Sequence, residues 1–170
     1  MSAWQIHHDA EFFNTLKQCL TESGMPGDAL ELEITESLMV QKTETTLGLL
    51  ERIKGLGVRF AMDDFGTGYS SLSYLKQLPL DVVKIDRAFI RDIVHDQNDA
   101  AIVSAILAMT RHLGLTVVAE GVETQEQVDF LKDHGCQEVQ GYYYGPSISA
   151  SDFAASWLNS PPSGKNAAEM

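Results

Sequence analysis

The sequence is poor in cysteine, in positive charge and in long apolar runs, and each shortage removes a class of function. Only two cysteines occur in 170 residues, Cys19 and Cys136, with no C-x-x-C spacing. Neither a disulfide framework nor a zinc cluster is indicated, and both read as reduced packing residues. Lysine and arginine number 12 against 24 aspartates and glutamates, a formal charge of 12 − 24 = −12. Such a field repels phosphate backbones over a Debye length, which argues against DNA or RNA as partners; an anionic ligand would need help from metal cations. No stretch approaches the roughly 20 consecutive apolar residues of a membrane span. The opening MSAWQIHHDAEFF lacks the basic-then-apolar order of a secretory signal, so a cytoplasmic protein is expected.

What is present, 44% hydrophobic and 21% charged residues, is the balance of one soluble globular domain. No interior linker or internal repeat interrupts it. Only the tail from Ser160 (SPPSGKNAAEM) lacks apolar periodicity, so the expected organisation is one domain over residues 1–159 and a disordered tail over 160–170. Short β-branched runs alternate with longer amphipathic stretches, the signature of a parallel sheet covered by helices. Strands are expected at Leu30–Thr35, Val58–Asp63, Val82–Ile85, Leu115–Ala119 and Glu138–Tyr142. Helices are expected over roughly Ala10–Ser23, Lys42–Leu56, Ser70–Gln77, Asp99–Leu113, Gln125–His134 and Ser151–Leu158, with glycines at the breaks.

Charged residues gather at the outgoing ends of these strands: Glu33 and Glu36 in LELEITES, Asp63 and Asp64 in VRFAMDD, Lys84 and Asp86 in VVKID, Glu120 and Glu123 in TVVAEGVE, and Gln140 in EVQG. In a parallel βα sheet or barrel every strand's C-terminal end opens on one face, so groups far apart in sequence converge there. Crowded carboxylates repel one another unless a divalent cation compensates. An all-oxygen set suits Mg²⁺ or Mn²⁺ rather than Zn²⁺. Such ions neutralise a phosphoryl oxygen and lower the pKa of water, so the implied chemistry is metal-assisted phosphoester hydrolysis. Lys84 adds a fixed positive group for a phosphate oxygen or for orienting the attacking water. A single acidic residue after a strand is ordinarily a helix N-cap. Adjacent Asp63 and Asp64 with a strand-end lysine are not what caps require.

DDFGTGYSSL (Asp63–Leu72) is a shaped strand-to-helix loop, since Gly66 and Gly68 permit backbone angles closed to other residues and Ser70 or Ser71 can cap the next helix. It reads either as a tight turn or as a phosphate cradle. The five histidines, His7, His8, His95, His112 and His134, show no ligand spacing and are placed on the surface or at helix ends. Tyr142, Tyr143 and Tyr144 form an aromatic run in which one ring could stack on a base. Trp4 and Trp157 read as packing residues.

Taken as a set, LELEITES, DDFGTGYSSLSYLKQLPLDVVKIDRAFI, TVVAEGVET and GCQEVQGYYYG closely resemble the EAL domain family of cyclic-di-GMP phosphodiesterases over about residues 2–158. The resemblance implies an α/β TIM-like barrel that uses two Mg²⁺ or Mn²⁺ ions to hydrolyse cyclic di-GMP to linear pGpG. It also implies roles. Glu33, Asp63, Asp64 and Glu120 resemble metal ligands, with Asp63 bridging and Glu120 also serving the attacking water as base. Lys84 resembles the lysine that orients that water, while Asp86, Gln140 and Glu123 resemble supporting positions. Glu36 resembles the glutamate that holds the loop Asp63–Leu72, which in the family links metal occupancy to a homodimer formed through this loop and the helix after it. Family members are bacterial signalling proteins that commonly govern motility and biofilm.

Two family ligands, the Glu of an EAL or EVL signature and the Asn of a VNxS-type strand, would lie upstream of the stretch matched by Met1–Gln5. A closed barrel takes about 250 residues, so the expectation is a barrel lacking its N-terminal part, of about five or six βα units, with exposed strand edges and weak or no hydrolysis as an isolated chain. YYYGPSIS departs from the family's aromatic pair, small residue, basic residue and proline. A second function is a non-catalytic module binding cyclic di-GMP or a protein partner. A third, an enolase-like barrel with Lys84 as base, is disfavoured by the complete DDFGTGYSSL and AEGVET segments.

Overall fold

The computed structural model describes residues 9–35, 44–66 and 75–158. In it the alternation resolves into five parallel strands lying side by side in chain order: β1 (Glu31–Thr35), β2 (Arg59–Phe65), β3 (Val82–Ile85), β4 (Thr116–Glu120) and β5 (Glu138–Gln140). Sequential order has a physical meaning, because a doubly wound sheet reverses at a switch point and a barrel does not. The sheet is therefore an arc of a TIM-like (β/α) barrel. Among the helices, α1 (Asp9–Ser23) precedes β1 and α2 (Glu44–Lys54) follows it. Next come a short α3 (Arg87–Ile90), then α4 (Gln97–Leu113), α5 (Gln125–Asp133) and a short α6 (Ala150–Phe153) continuing into a π-helical turn.

Strand register sorts the side chains into two chemically different faces. Leu32 pairs with Phe60, Ile34 with Met62, Met62 with Val83 and Val83 with Val117. With Ile85 and Ala119 they pack against Leu49, Leu50, Ile53, Ile90, Val103, Leu107 and Leu131 of the helices to form the core. Ile34, Phe60 and Met62 are fully buried, and truncating any of them to alanine would cost about 2–5 kcal/mol. Because side chains alternate along a strand, the residues between these point the other way. They are Glu33, Asp63, Lys84, Glu120 and Gln140 toward the C-terminal ends, and Glu31 and Arg59 toward the N-terminal ends.

The N-terminal ends are tied together by Asp81. Its carboxylate accepts from the Phe60 amide at 2.8 Å and from the Lys54 ammonium. Its own amide donates to Phe60 O at 2.9 Å, and its carbonyl accepts from the Thr116 amide at 2.9 Å.

Two strand ends differ from the sequence-based expectation by two residues, the other strand ends by one at most, and one helix was not expected. β5 stops at Gln140 instead of running to Tyr142, since Gly141 lies directly on the Val122 backbone and Tyr143 donates to Val122 O at 3.0 Å. A Cβ at residue 141 would collide with that backbone. β2 runs on to Phe65 through an irregular register between Met62 and Phe65. Helix α3, four residues long, has too few positions to show a period. The helix expected over Ser70–Gln77 lies largely outside the described residues, as does the tail from Ser160.

Candidate active site

Lys84 stands at the centre of the polar face. Its ammonium lies 2.6 Å from Glu33 Oε1, 2.6 Å from Glu120 Oε1 and 3.6 Å from Asp63 Oδ1. Three strands thus deliver one carboxylate each to a lysine on a fourth. The lysine side chain is only 11% exposed. Burial alone would pull its ammonium down, but hydrogen bonds to Glu120 and Glu33, with the charges of Glu120 and Asp63, hold it well above the usual lysine range. It is a cation at neutral pH.

Adjacent Asp63 and Asp64 reach the same rim because β2 is bulged there. Met62 pairs with Val83 and Phe65 with Ile85, so three steps on β2 answer two on β3. The extra residue is accommodated by Asp64, whose φ of +55° is left-handed, a conformation that aspartate tolerates better than most side chains. A bulge of this kind re-aims side chains beside functional sites. Without it Asp64 would point into the helices. Partial burial, then the charges of Asp63 and Asp86, a hydrogen bond to Asp86 and the charge of Glu120 raise the Asp64 carboxyl above the ordinary aspartate value.

Beside this cluster opens a cleft of about 1410 Å³. Asp64, Asp86, Glu120 and Glu123 form its acidic wall, with Gln140 at the end of β5. Arg87 of α3 and Arg91 just after it also line it, and Tyr142, Tyr144, Ile148 and Phe153 supply apolar surface. Gly121 sits at φ +72° against the Arg87 stem, where a Cβ would meet Arg87 carbons. The β4–α5 turn therefore approaches α3 closely, and glycine is required for it.

The sequence-derived site residues separate into groups. Glu33, Asp63, Lys84 and Glu120 meet directly; Asp64, Asp86, Glu123 and Gln140 line the adjoining cleft. Asp86 is also the N-cap of α3, accepting from the Ala88 amide at 2.7 Å. The ordinary capping reading of a post-strand acid therefore applies to it as well. Glu36 and most of the loop Asp63–Leu72 lie outside the described residues, as do His7, His8 and Trp4, and the side chain of Trp157 is likewise outside. His112, in the last turn of α4, and His134, just past the end of α5, bond carbonyls four residues back. Of the tyrosines, Tyr142 and Tyr144 line the cleft, whereas Tyr143 donates to Gln125. Both cysteines are free, and burial pushes the Cys136 thiol up to about 11.

Arg87 and Arg91 were not anticipated. Their signal was available: two arginines four residues apart, directly after a rim aspartate, in a chain with only 12 basic residues.

The donor set is oxygen-only, which fits a hard divalent cation in kind. The crowding that raises Asp64 is the electrostatic strain such an ion relieves. Among the described residues no three carboxylates converge on a common centre other than the Lys84 ammonium.

The EAL domain family model matches residues 1–147. Among curated proteins, the cyclic di-GMP phosphodiesterase NbdA of Pseudomonas aeruginosa is 48% identical over 135 residues, covering 79% of this chain and 17% of NbdA. Among solved structures, the PaMucR phosphodiesterase in its c-di-GMP complex has a TM-score of 0.83 at 44% identity, covering 90% of this chain and 62% of that one. Klebsiella pneumoniae BlrP1, in a manganese and cyclic di-GMP complex, has a TM-score of 0.75 at 33% identity, covering 81% of this chain and 35% of that one. The chain spans about a fifth of the length of the curated relatives it matches.

Proposed function

The chain belongs to the EAL domain family, and we propose that its strand-end rim is a cyclic di-GMP phosphodiesterase site cleaving one phosphodiester to give linear pGpG. The observation that carries this reading is the ring of Glu33, Asp63 and Glu120 around the Lys84 ammonium, opening on a cleft large enough for a dinucleotide. Glu33, Asp63, Asp64 and Glu120 would hold Mg²⁺ or Mn²⁺, which when bound neutralises phosphoryl charge and acidifies water.

The chain's own groups do the rest. Glu120, fixed by its 2.6 Å contact with Lys84, is positioned to take the proton of the attacking water. Lys84, charged at neutral pH, holds that water and Glu120 in one geometry and stabilises developing negative charge. Asp86, Glu123 and Gln140 shape the wall. One of the two cleft tyrosines, Tyr142 or Tyr144, stacks on a base, and Arg87 and Arg91 face anionic ligand oxygens.

In this reading the isolated chain hydrolyses cyclic di-GMP weakly or not at all. It acts in the cytoplasm, over residues 1–159, and the homodimer through Asp63–Leu72 and the following helix belongs to the same proposal. No helix among the described residues is long and apolar enough to cross a membrane.

The test is chromatographic detection of pGpG from cyclic di-GMP with Mn²⁺. Slow formation that Glu120→Gln abolishes supports the reading. Binding without any turnover would make the chain a non-catalytic module, and neither binding nor turnover would end the proposal.

A further inference from the structure

Gln127 is almost fully buried, 5% exposed, in the first turn of α5, the one polar side chain that this helix buries beside Leu131. Part of its role is local: with Thr124 it forms a capping box, accepting from the Thr124 amide at 3.0 Å while the Thr124 hydroxyl accepts from the Gln127 amide at 3.3 Å. A capping box needs only an acceptor at this position, and glutamate would serve while also favouring the helix dipole. Here the side chain does more. Its Oε1 also accepts from the Glu123 amide at 2.7 Å, and its Nε2 donates to Ile90 O and Arg91 O, each at 3.1 Å. Only a neutral amide combines that acceptor with two donors.

The two partners of this amide are the two walls of the cleft. On one side are the end of β4, with Glu120, and the turn after it, with Glu123; on the other is α3, with Arg87 at its start and Arg91 just past its end. We infer that Gln127 is a positioning residue, whose side-chain amide clamps the acidic β4–α5 turn to the arginine-bearing helix α3 and so sets the width of the cleft. In its consequence for nucleotide binding the inference rests on the proposed function; the clamp itself does not.

The test uses the whole chain and two variants. Gln127→Glu keeps the acceptor and loses both donations to α3; Gln127→Met keeps the volume and loses all four bonds. Amide exchange at Glu123 and Thr124 and affinity for cyclic di-GMP with Mn²⁺ are read well below each variant's melting temperature. A merely structural role would lower that temperature without moving the affinity. Gln127→Met should speed exchange at both amides by about tenfold or more, while Gln127→Glu leaves them protected. Both variants should weaken cyclic di-GMP binding by about tenfold or more, the methionine variant at least as much as the glutamate one. Affinity within twofold of the parent in a folded variant overturns the inference, and if the methionine variant does not fold the glutamate variant decides. Should the parent bind no cyclic di-GMP, the functional reading fails and exchange alone judges the clamp: unchanged protection in Gln127→Met overturns it.

Discussion

Lys84 and Glu120 are diagonal neighbours on adjacent strands: Lys84 is in register with Val118, two residues before Glu120, and its ammonium lies 2.6 Å from Glu120 Oε1. The pair is fixed by strand register rather than by a loop. A buried lysine facing several carboxylates cannot be removed without leaving their repulsion uncompensated.

Lys84→Met should therefore destabilise the fold. Its carboxylate partners are 21% to 49% exposed, so solvent screening reduces the loss to about 1–3 kcal/mol. Adding Glu120→Gln should restore part of it, a coupling measurable by urea denaturation. Because the Lys84 pKa is raised on folding, its contribution is complete below the unfolded lysine value and is lost only as pH climbs through the folded one. The difference between parent and Lys84→Met should stay flat from about pH 6 to pH 9.

Asp64 behaves oppositely. Its carboxyl titrates higher in the fold than in the unfolded chain, so folding disfavours its charge. The penalty is absent where both states are protonated and is fully present above the folded value. In metal-free buffer Asp64→Asn should raise the melting temperature at pH 7 and leave it unchanged near pH 3. Asparagine also accepts the left-handed backbone there. With Mn²⁺ the parent should gain stability that the variant lacks.

Asp81 offers a control at the opposite end of the sheet. Asp81→Ala removes the acceptor of the Phe60 amide and the partner of Lys54, a loss of about 1–3 kcal/mol. Cyclic di-GMP affinity should not change when it is measured well below the melting temperature.

Much of this was legible in the chain. Strand ends carrying Glu33, Asp63, Lys84, Glu120 and Gln140 follow from period-two alternation, which puts every second residue on one face whatever the register. Hidden from pattern reading was anything that breaks the period: the bulge that turns Asp64 to the rim, the end of β5 at Gly141, and the four-residue helix α3 with an arginine at its start and another just past its end. Gln127 was hidden for another reason. Its partners on α3 lie 36 and 37 residues away, and no local rule brings them together.

Gly141→Ala tests the close packing that ends β5. The added methyl would strike the Val122 backbone, and separating the two loops should cost about 1–3 kcal/mol. Thermal denaturation reads that loss, and cyclic di-GMP affinity should fall with it because Gln140 and Tyr142 move.

The most direct measurement is calorimetric titration of cyclic di-GMP into the 170-residue chain, once with Mn²⁺ and once with a chelator. Binding is expected with manganese, and its loss is expected both in chelator and in Asp63→Asn with manganese present. Binding that is indifferent to both the cation and Asp63 would contradict a shared metal and nucleotide site at the strand ends.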